Sequence, residues 1–289
     1  MKNLTFAVLA LFAFLSSSRG EERIRVKGSD TMVILAQRWA EGFMTDHKDV
    51  IIEVTGGGSG QGIAALKNGS TDICNASRPM NEEERNELKR RYGTRGIEIK
   101  CAMDGISFYV NETNPVKELT VHQIKGIFSG EIKNWKQVGG MDEAIQLYGR
   151  ESVSGTYVFF QEHILHDVPF STELRVMPGT AMIVDAVAHD VAGIGYGGAA
   201  YARHIKELSV KTDSVSVAFA PTFENIASGD YPVSRYLYMY LRKAPSGTLK
   251  RYLDWILSAH GQEIVRDVGY FPLISMMQKV DDLRGSSHN

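Results

Sequence analysis

The chain has 289 residues, of which 43% are hydrophobic and 23% are charged, and its formal net charge is −2. This composition is typical of a globular protein and excludes a disordered or fibrous chain. A net negative charge argues against general nucleic-acid binding, so any anion site in the protein must be local.

The first twenty residues have the pattern of a secretory signal peptide. Lys2 gives a short positive start, residues 4–15 are apolar, and small residues precede a cleavage site after Gly20. The apolar run is shorter than the roughly 20 residues that a membrane-spanning helix needs. No cysteine follows it, which argues against a lipoprotein anchor. We predict a signal peptide over residues 1–20, a periplasmic or secreted protein, and no membrane span after cleavage.

Three strand–turn–helix units are predicted at the start of the remaining chain. The strands cover residues 23–27, 50–55 and 71–76. Each runs into a turn rich in glycine or hydroxyl residues, which a helix follows, so a βαβ series with a parallel sheet is predicted. Ligands bind beyond the carboxyl ends of such strands. The turns at Ser29–Thr31, Gly58–Gly60 and Ser77–Arg78 should therefore lie near one another.

The rest of the chain predicts a second α/β lobe and a return to the first. Strand-like runs at 97–101 and 106–110 are joined through Met103-Asp104-Gly105, and another strand covers 236–241. The connections near residues 105–108 and 231–236 would form a hinge with two crossings. We predict lobe 1 from residues 21–106 plus 234–289, and lobe 2 from residues 107–233. Further predicted elements are strands at 144–148, 174–176 and 192–198, helices at 157–165, 180–189, 247–259 and 262–268, and a helix that ends at 128.

The stretch from Gly149 to Thr156 is a strand–turn–helix junction in the second lobe. Ser154, Gly155 and Thr156 lie where the free N–H groups of a helix start point outward, and these groups favour an anion. Arg150 could reach the same point with a planar, charged fork. The alternative is that Ser154 only caps a helix and Arg150 is a surface charge.

Catalytic patterns are weak in this chain. A Gly-x-Ser-x-Gly motif is absent, and the glycines at 58, 60 and 62 lack the lysine and spacing of a nucleotide-binding P-loop. His163 and His166 have a metal-pair spacing, but no nearby acidic or cysteine residues complete a site. We predict no catalytic residues, no metal and no cofactor, and hence that the protein is not an enzyme.

Cys74 and Cys101 both lie in strand-like runs. In an oxidising compartment they could form a disulfide, or they could be two buried free thiols. The sequence alone leaves both readings open, because it does not give the distance between them.

The chain closely resembles the PstS family, the phosphate-binding receptors of phosphate ABC importers. The resemblance covers nearly all of the mature chain. It rests on Gly28-Ser29-Asp30-Thr31, Gly58-Ser59-Gly60, Ala76-Ser77-Arg78-Pro79, the segment from Ile127 to Trp135, and Arg150-x-x-x-Ser154-Gly155-Thr156. It implies an α/β, type II periplasmic-binding-protein fold, with two lobes joined by two hinge crossings. It also implies a monomer that captures inorganic phosphate in a cleft and passes it to a membrane permease.

The resemblance further implies a set of phosphate ligands. These are Ser29 and Thr31 from the first turn, Ser59 from the glycine turn, and Arg150, Ser154, Gly155 and Thr156 from the second lobe. Ser77 and Arg78 are added as candidate ligands because they are donors at the turn after the third strand, where a helix begins.

One departure from the family pattern bears on the selectivity for phosphate, and a second places Ser152 where the family has an acid two residues after the arginine. Well-known members place an aspartate after the third strand, where it accepts the proton of hydrogen phosphate, and here Ser77-Arg78 occupies that region. Asp30, Asp104 or Glu151 could supply the missing acceptor. The alternatives are a receptor for another oxyanion such as sulfate or molybdate, or a secreted phosphatase or phosphate-sensing protein.

Overall fold

The computed structural model describes residues 21–273. The predicted signal peptide, residues 1–20, lies outside the described residues. Within that described range the strands are β1 (Glu22–Gly28), β2 (Val50–Thr55), β3 (Ile73–Ala76), β4 (Ile97–Val110), β5 (Glu118–Thr120), β6 (Gln146–Arg150), β7 (Arg175–Met177), β8 (Gly193–Gly198), β9 (Lys206–Glu207), β10 (Ser209–Lys211) and β11 (Ser234–Leu241). The helices of the same range are α1 (Val33–Asp46), α2 (Ser59–Asn68), α3 (Glu82–Tyr92), α4 (Val121–Ser129), α5 (Gly155–His163), α6 (Thr180–Ala188), α7 (Phe223–Ser228), α8 (Gly247–Ile256) and α9 (Ala259–Val268).

The main sheet has the strand order β2-β1-β3-β11-β4-β8-β6-β7, and β9 pairs with β4 beside this path. β1 lies between β2 and β3 and is parallel to both, as the three strand–turn–helix units predicted. β6 is likewise parallel to β7 and β8. β4 and β11 run antiparallel to each other in the middle, so the sheet combines two parallel ends with an antiparallel centre.

The predicted division into two strands at Met103-Asp104-Gly105 is wrong, because β4 is one continuous strand. Its first part pairs with β11 up to the Gly105–Ser234 partners, and its second part pairs with β8 from Ile106 onward. Polar and glycine residues resemble a turn when read locally. Here ladder partners on both sides keep them extended.

Two hydrophobic cores lie along this sheet. The first core includes Trp39 and Phe43 of α1 together with Leu237 of β11. The second core includes Phe108 of β4 and Phe128 of α4. β4 contributes Cys101 and Ala102 to the first core and Ile106 and Phe108 to the second, so it passes from one to the other. The chain returns at β11, because Val233, just before this strand, belongs to the second core and Leu237, within it, belongs to the first.

Cys74 and Cys101 are free thiols, so the disulfide that the sequence left open does not form. Cys74 lies on β3 and Cys101 on β4, and β11 runs between these two strands. Neighbouring strands are about 4.8 Å apart, which separates the two backbones by roughly 10 Å. That exceeds the roughly 7 Å beyond which two cysteines cannot be bridged without backbone movement.

No helix among residues 21–273 is long and apolar enough to cross a membrane.

Candidate functional site

The turns after β1, β2 and β3 meet at one edge of the sheet, as predicted. Gly58 N–H donates to the Gly28 carbonyl at 2.9 Å, which ties the second turn to the first. Ser59 is the first residue of α2, and its hydroxyl accepts from Ser77 N–H at 3.0 Å. The Ser59 and Ser77 hydroxyls are 3.3 Å apart and both side chains are buried. The third turn therefore reaches the N-terminus of α2.

The N-terminus of α5 faces the same point from the other core. Ser154 caps α5, and its hydroxyl accepts from the N–H groups of Thr156 at 3.2 Å and Tyr157 at 3.4 Å. A side chain at Gly155 would place its Cβ 2.3 Å from Ser59 Oγ and 2.7 Å from the Ser77 hydroxyl. Only glycine allows this approach, so the starts of two helices lie against each other. Backbone N–H groups at helix starts favour an anion.

Two threonine hydroxyls complete the contact between the halves. Thr31 Oγ1 is 3.0 Å from Thr156 Oγ1, and both residues are buried. Ser29, which precedes this turn, is also buried, and its N–H donates to the Asn75 carbonyl at 2.8 Å. Hydroxyls from both cores therefore converge where the sequence predicted an anion site.

Arg150, at the end of β6, is a buried charge and not a surface residue. Its side chain is 2% exposed. Nη1 donates to Asp30 Oδ2 at 2.8 Å and to Thr180 Oγ1 at 3.0 Å, and Nη2 donates to the Pro178 carbonyl at 3.0 Å. The same Asp30 oxygen accepts from Thr180 N–H at 3.0 Å. Asp30 thus links the first turn to both β6 and α6.

Arg235 on β11 is a second buried arginine beside this cluster. It donates to Asp104 Oδ2 from Nε at 3.1 Å and from Nη2 at 2.9 Å. Its Nη1 donates to the Ser77 carbonyl at 2.8 Å, and its Nη2 donates to Thr156 Oγ1 at 2.9 Å. Burial raises the pKa of the Asp104 carboxyl above its ordinary value, while the adjacent Arg235 guanidinium opposes the rise. The site therefore holds two cations, and each has its own aspartate.

Comparison with known proteins shows the family to which this chain belongs. A family model described as a PBP superfamily domain matches residues 16–260. The chain is 34% identical over 267 residues to the phosphate-binding protein PstS of Pseudomonas aeruginosa, covering 85% of this chain and 81% of that protein. It is 31% identical over 265 residues to PstS of Bacillus subtilis, covering 90% of this chain and 85% of that protein. The chain belongs to the PstS family of phosphate-binding proteins.

Solved structures agree with this membership. A substrate-binding protein from Clostridium perfringens with bound phosphate superposes with a TM-score of 0.78 at 31% identity, covering 87% of this chain and 100% of that one. A phosphate transport receptor from Vibrio cholerae superposes with a TM-score of 0.70 at 27% identity, covering 86% of this chain and 100% of that one. The predicted fold class is therefore confirmed: an α/β, periplasmic-binding-protein fold with two lobes.

Arg78, which its place at the turn after the third strand made a candidate ligand, bonds to Glu84 and Pro79 and not to the residues of the cluster. Its Nη1 and Nη2 donate to the two carboxylate oxygens of Glu84 at 2.9 and 2.7 Å, and Nη1 also donates to the Pro79 carbonyl at 2.9 Å. Glu84 is the third residue of α3 and completes its capping box with Asn81. The carboxylate at this helix start holds the guanidinium, whereas Ser77 beside it faces α2.

The three carboxylates that could replace the missing PstS aspartate differ in their free lone pairs. Both carboxylate oxygens of Asp104 already accept hydrogen bonds, Oδ1 from Ala199 N–H at 3.2 Å and Oδ2 from Arg235. Glu151 is exposed at the turn. Asp30 uses Oδ2 for Arg150, and none of residues 21–273 donates a hydrogen bond to its Oδ1. Asp30 is therefore the one of the three that is bonded to Arg150 and keeps an oxygen without a donor among residues 21–273.

Arg235 is the site residue that the sequence analysis missed. It is a charged residue in β11, a strand whose other side chains are mostly buried and apolar or aromatic. Asp104 has the same character in β4. Opposite charges inside two strands of buried residues are a signal for a buried ion pair, because an unpaired buried charge is costly.

Proposed function

We propose that this protein captures inorganic phosphate in the cleft between its two lobes and delivers it to a phosphate ABC importer. The observation that supports this most is the contact of the α2 and α5 N-termini across the cleft, with Gly155 against Ser59 and Ser77. The named PstS relatives and the phosphate-bound neighbour support phosphate as the anion.

The proposed ligands come from both lobes. The first lobe supplies Ser29, Thr31, Ser59 and Ser77, and the second lobe supplies Arg150, Ser154, Gly155 and Thr156. Hydroxyl and N–H groups donate to the phosphate oxygens, while Arg150 supplies a desolvated charge. Arg78 leaves the proposed set because Glu84 holds its guanidinium.

Asp30 would give the site its preference for phosphate over sulfate. Hydrogen phosphate carries a proton that a carboxylate can accept, whereas sulfate carries none and would meet an unpaired negative charge. Asp30 Oδ1 has the free lone pairs for this role, and its Oδ2 bond to Arg150 keeps the carboxylate beside the cluster.

The remaining organisation follows the sequence predictions. We propose lobe 1 from residues 21–106 plus 234–289 and lobe 2 from residues 107–233, with β4 and β11 as the two crossings. The protein acts after removal of residues 1–20, as a periplasmic or secreted monomer that meets a membrane permease. It performs no catalysis, since its role is to bind and release.

Calorimetry on the mature chain tests this function. Phosphate, sulfate and molybdate are titrated separately at several pH values, and we expect tight binding of phosphate with much weaker binding of the other two. Tight sulfate or molybdate binding without phosphate binding would reassign the ligand. Hydrolysis of a phosphate monoester that disappears in Arg150→Ala would indicate a phosphatase instead.

A further inference from the structure

Arg235 and Asp104 sit opposite each other where the chain passes between the two cores. They are direct partners in the antiparallel register of β11 and β4. Their side chains are 3% and 0% exposed. The Arg235 guanidinium also lies 5.4 Å from the centre of the Phe159 ring, on α5. A guanidinium held by a carboxylate and an aromatic ring has one well-defined orientation.

From that position Arg235 contacts both lobes. Nη1 reaches the carbonyl of Ser77, which follows β3, and Nη2 reaches the hydroxyl of Thr156 on α5. Both bonds are within 2.9 Å and both partners are buried. The arginine is thus attached to the two lobes at the point where their turns meet.

The bond to Arg235 makes the Thr156 hydroxyl an acceptor. A guanidinium can donate hydrogen bonds but cannot accept them. Thr156 Oγ1 must therefore accept from Arg235, and its own proton is left to donate elsewhere. Thr31 Oγ1 lies 3.0 Å away as an acceptor for that proton. If Thr31 accepts from Thr156, the proton of Thr31 is in turn free to donate.

We infer that Arg235 is a positioning residue of the anion site, which makes the Thr156 and Thr31 hydroxyls donate toward the bound anion. This inference rests on the proposed function, since it concerns how the same site recognises phosphate. The chain of donors runs from Arg235 to Thr156, then to Thr31, and then to a phosphate oxygen. Chains of hydrogen bonds that begin at a charge strengthen one another in a buried setting.

The arrangement also connects anion recognition with contact between the lobes. Thr156 belongs to the second lobe and Thr31 to the first, so the two hydroxyls are aligned only when the lobes meet. Asp104 keeps Arg235 in place from the crossing strand β4 by accepting from Nε and from one hydrogen of Nη2. The second hydrogen of Nη2 is then directed to Thr156.

A double-mutant cycle tests the inference. Phosphate dissociation constants are measured by calorimetry for the wild type, Arg235→Lys, Thr156→Val and the double variant. Lysine keeps a cation beside Asp104 but not the forked geometry. We expect Arg235→Lys to weaken phosphate binding about tenfold, the value of one buried hydrogen bond. In the Thr156→Val background the same change should weaken binding by no more than about twofold, because the hydroxyl is already gone.

Arg242→Lys is the matched control. Arg242 follows directly after β11 and is also bonded to a backbone carbonyl, that of Thr71, and paired with an aspartate, Asp72. It makes no contact with the cluster among the described residues, so phosphate affinity should stay at the wild-type value. Thermal unfolding of every variant shows that the compared proteins are folded.

The outcomes separate the inference from the function on which it rests. A wild type that does not bind phosphate overturns the proposed function. A wild type that binds phosphate, with equal effects of Arg235→Lys in the wild-type and Thr156→Val backgrounds, overturns the inference alone. If Arg235→Lys does not fold, the cycle is run with Asp104→Asn/Arg235→Gln, which removes both buried charges together, and the same criterion applies.

Discussion

Arg150 Nη1 lies 2.8 Å from Asp30 Oδ2, and this ion pair joins the end of β6 to the turn after β1. The arginine side chain is 2% exposed and the aspartate side chain 24%. The pair therefore sits at the edge of the buried cluster, with Asp30 open to solvent on one side. In the proposed function each partner has a different task, since Arg150 attracts the anion and Asp30 accepts its proton.

Arg150→Ala should weaken phosphate binding by about 2–5 kcal/mol, because it removes a desolvated charge partner of the anion. Calorimetry measures the loss. Arg175→Ala is the control, since Arg175 lies on the neighbouring strand β7 and donates to Tyr148 outside the cluster. Unchanged affinity in Arg150→Ala would mean that the anion binds elsewhere.

Asp30→Asn should reduce the preference for phosphate over sulfate about tenfold or more. An amide cannot offer the same acceptor to hydrogen phosphate, and it no longer repels sulfate. The ratio of the two dissociation constants is measured across pH. Glu151→Gln, at the exposed turn, should leave that ratio unchanged. The reverse result, with the ratio altered only by Glu151→Gln, would assign the acceptor to Glu151.

Gly155→Ala should weaken phosphate binding about tenfold while changing the melting temperature little. The added Cβ would lie 2.3 Å from Ser59 Oγ and 2.7 Å from Ser77 Oγ, so the lobes could meet only by displacing both hydroxyls. Gly60→Ala is the comparison, because its Cβ would lie 3.2 Å from the Val153 carbonyl at the same interface. A smaller effect of Gly155→Ala than of Gly60→Ala would contradict the close approach of α5 to the serines.

Glu84→Gln should remove the stabilisation of the fold by the Glu84–Arg78 ion pair, which protonation of Glu84 at low pH also removes. Burial opposes ionisation of Glu84, but the bonded Arg78 guanidinium outweighs it and lowers the pKa of the carboxyl below its ordinary value of 4.5. A lowered folded pKa means that the stabilisation is present above pH 4.5 and is lost as the pH falls through the folded value. Melting temperatures measured from neutral to acidic pH should show the two proteins converging on acidification.

Glu82→Gln provides the control for that series. Glu82 is in the same helical turn and pairs with Arg95, but its side chain is 79% exposed, so solvent screens the pair. We expect a much smaller difference from the wild type at every pH. A difference between wild type and Glu84→Gln that does not depend on pH would show that the ion pair with Arg78 is not its source.

Cys74 and Cys101 should not react with a thiol reagent in the native protein and should both react after unfolding. Both thiols are fully buried, and burial raises the pKa of each above its ordinary value. Only the thiolate is reactive, so the native protein protects both cysteines by excluding the reagent and by keeping the thiols protonated. Thiol titration with and without denaturant measures this. Fewer than two reactive thiols in the unfolded, unreduced chain would indicate a disulfide after all.

Much of the proposed site could be predicted because its signals are local. Gly155 and the hydroxyl residues around it sit at helix starts, and capping chemistry involves residues only a few positions apart. The strand–turn–helix order then predicts that the turns meet at one edge of a parallel sheet. Ser59 next to Ser77, and Ser154 at the start of α5, agree with that reasoning.

What the sequence left open or predicted differently depends on contacts that are distant along the chain or that compete locally. Asp104-Gly105 resembled a turn, because the sequence does not reveal that β11 and β8 pair with the two parts of β4. Arg78 resembled a ligand beside Ser77, but Glu84 at the start of α3 holds its guanidinium. The sequence could not decide whether Cys74 and Cys101 form a disulfide, because only the strand order shows that β11 lies between them.

The sequence by itself determined the α/β class and the helix starts that carry the donors, and it pointed to Arg150, since backbone preferences and caps act within a few residues. Only the tertiary structure decided that Arg235 joins Thr156, that Asp104 is occupied, and that Asp30 keeps a free oxygen. Those facts depend on side chains up to 131 positions apart. A hydrogen bond between such residues exists only once the strands that carry them are in register, and sequence spacing does not contain that register.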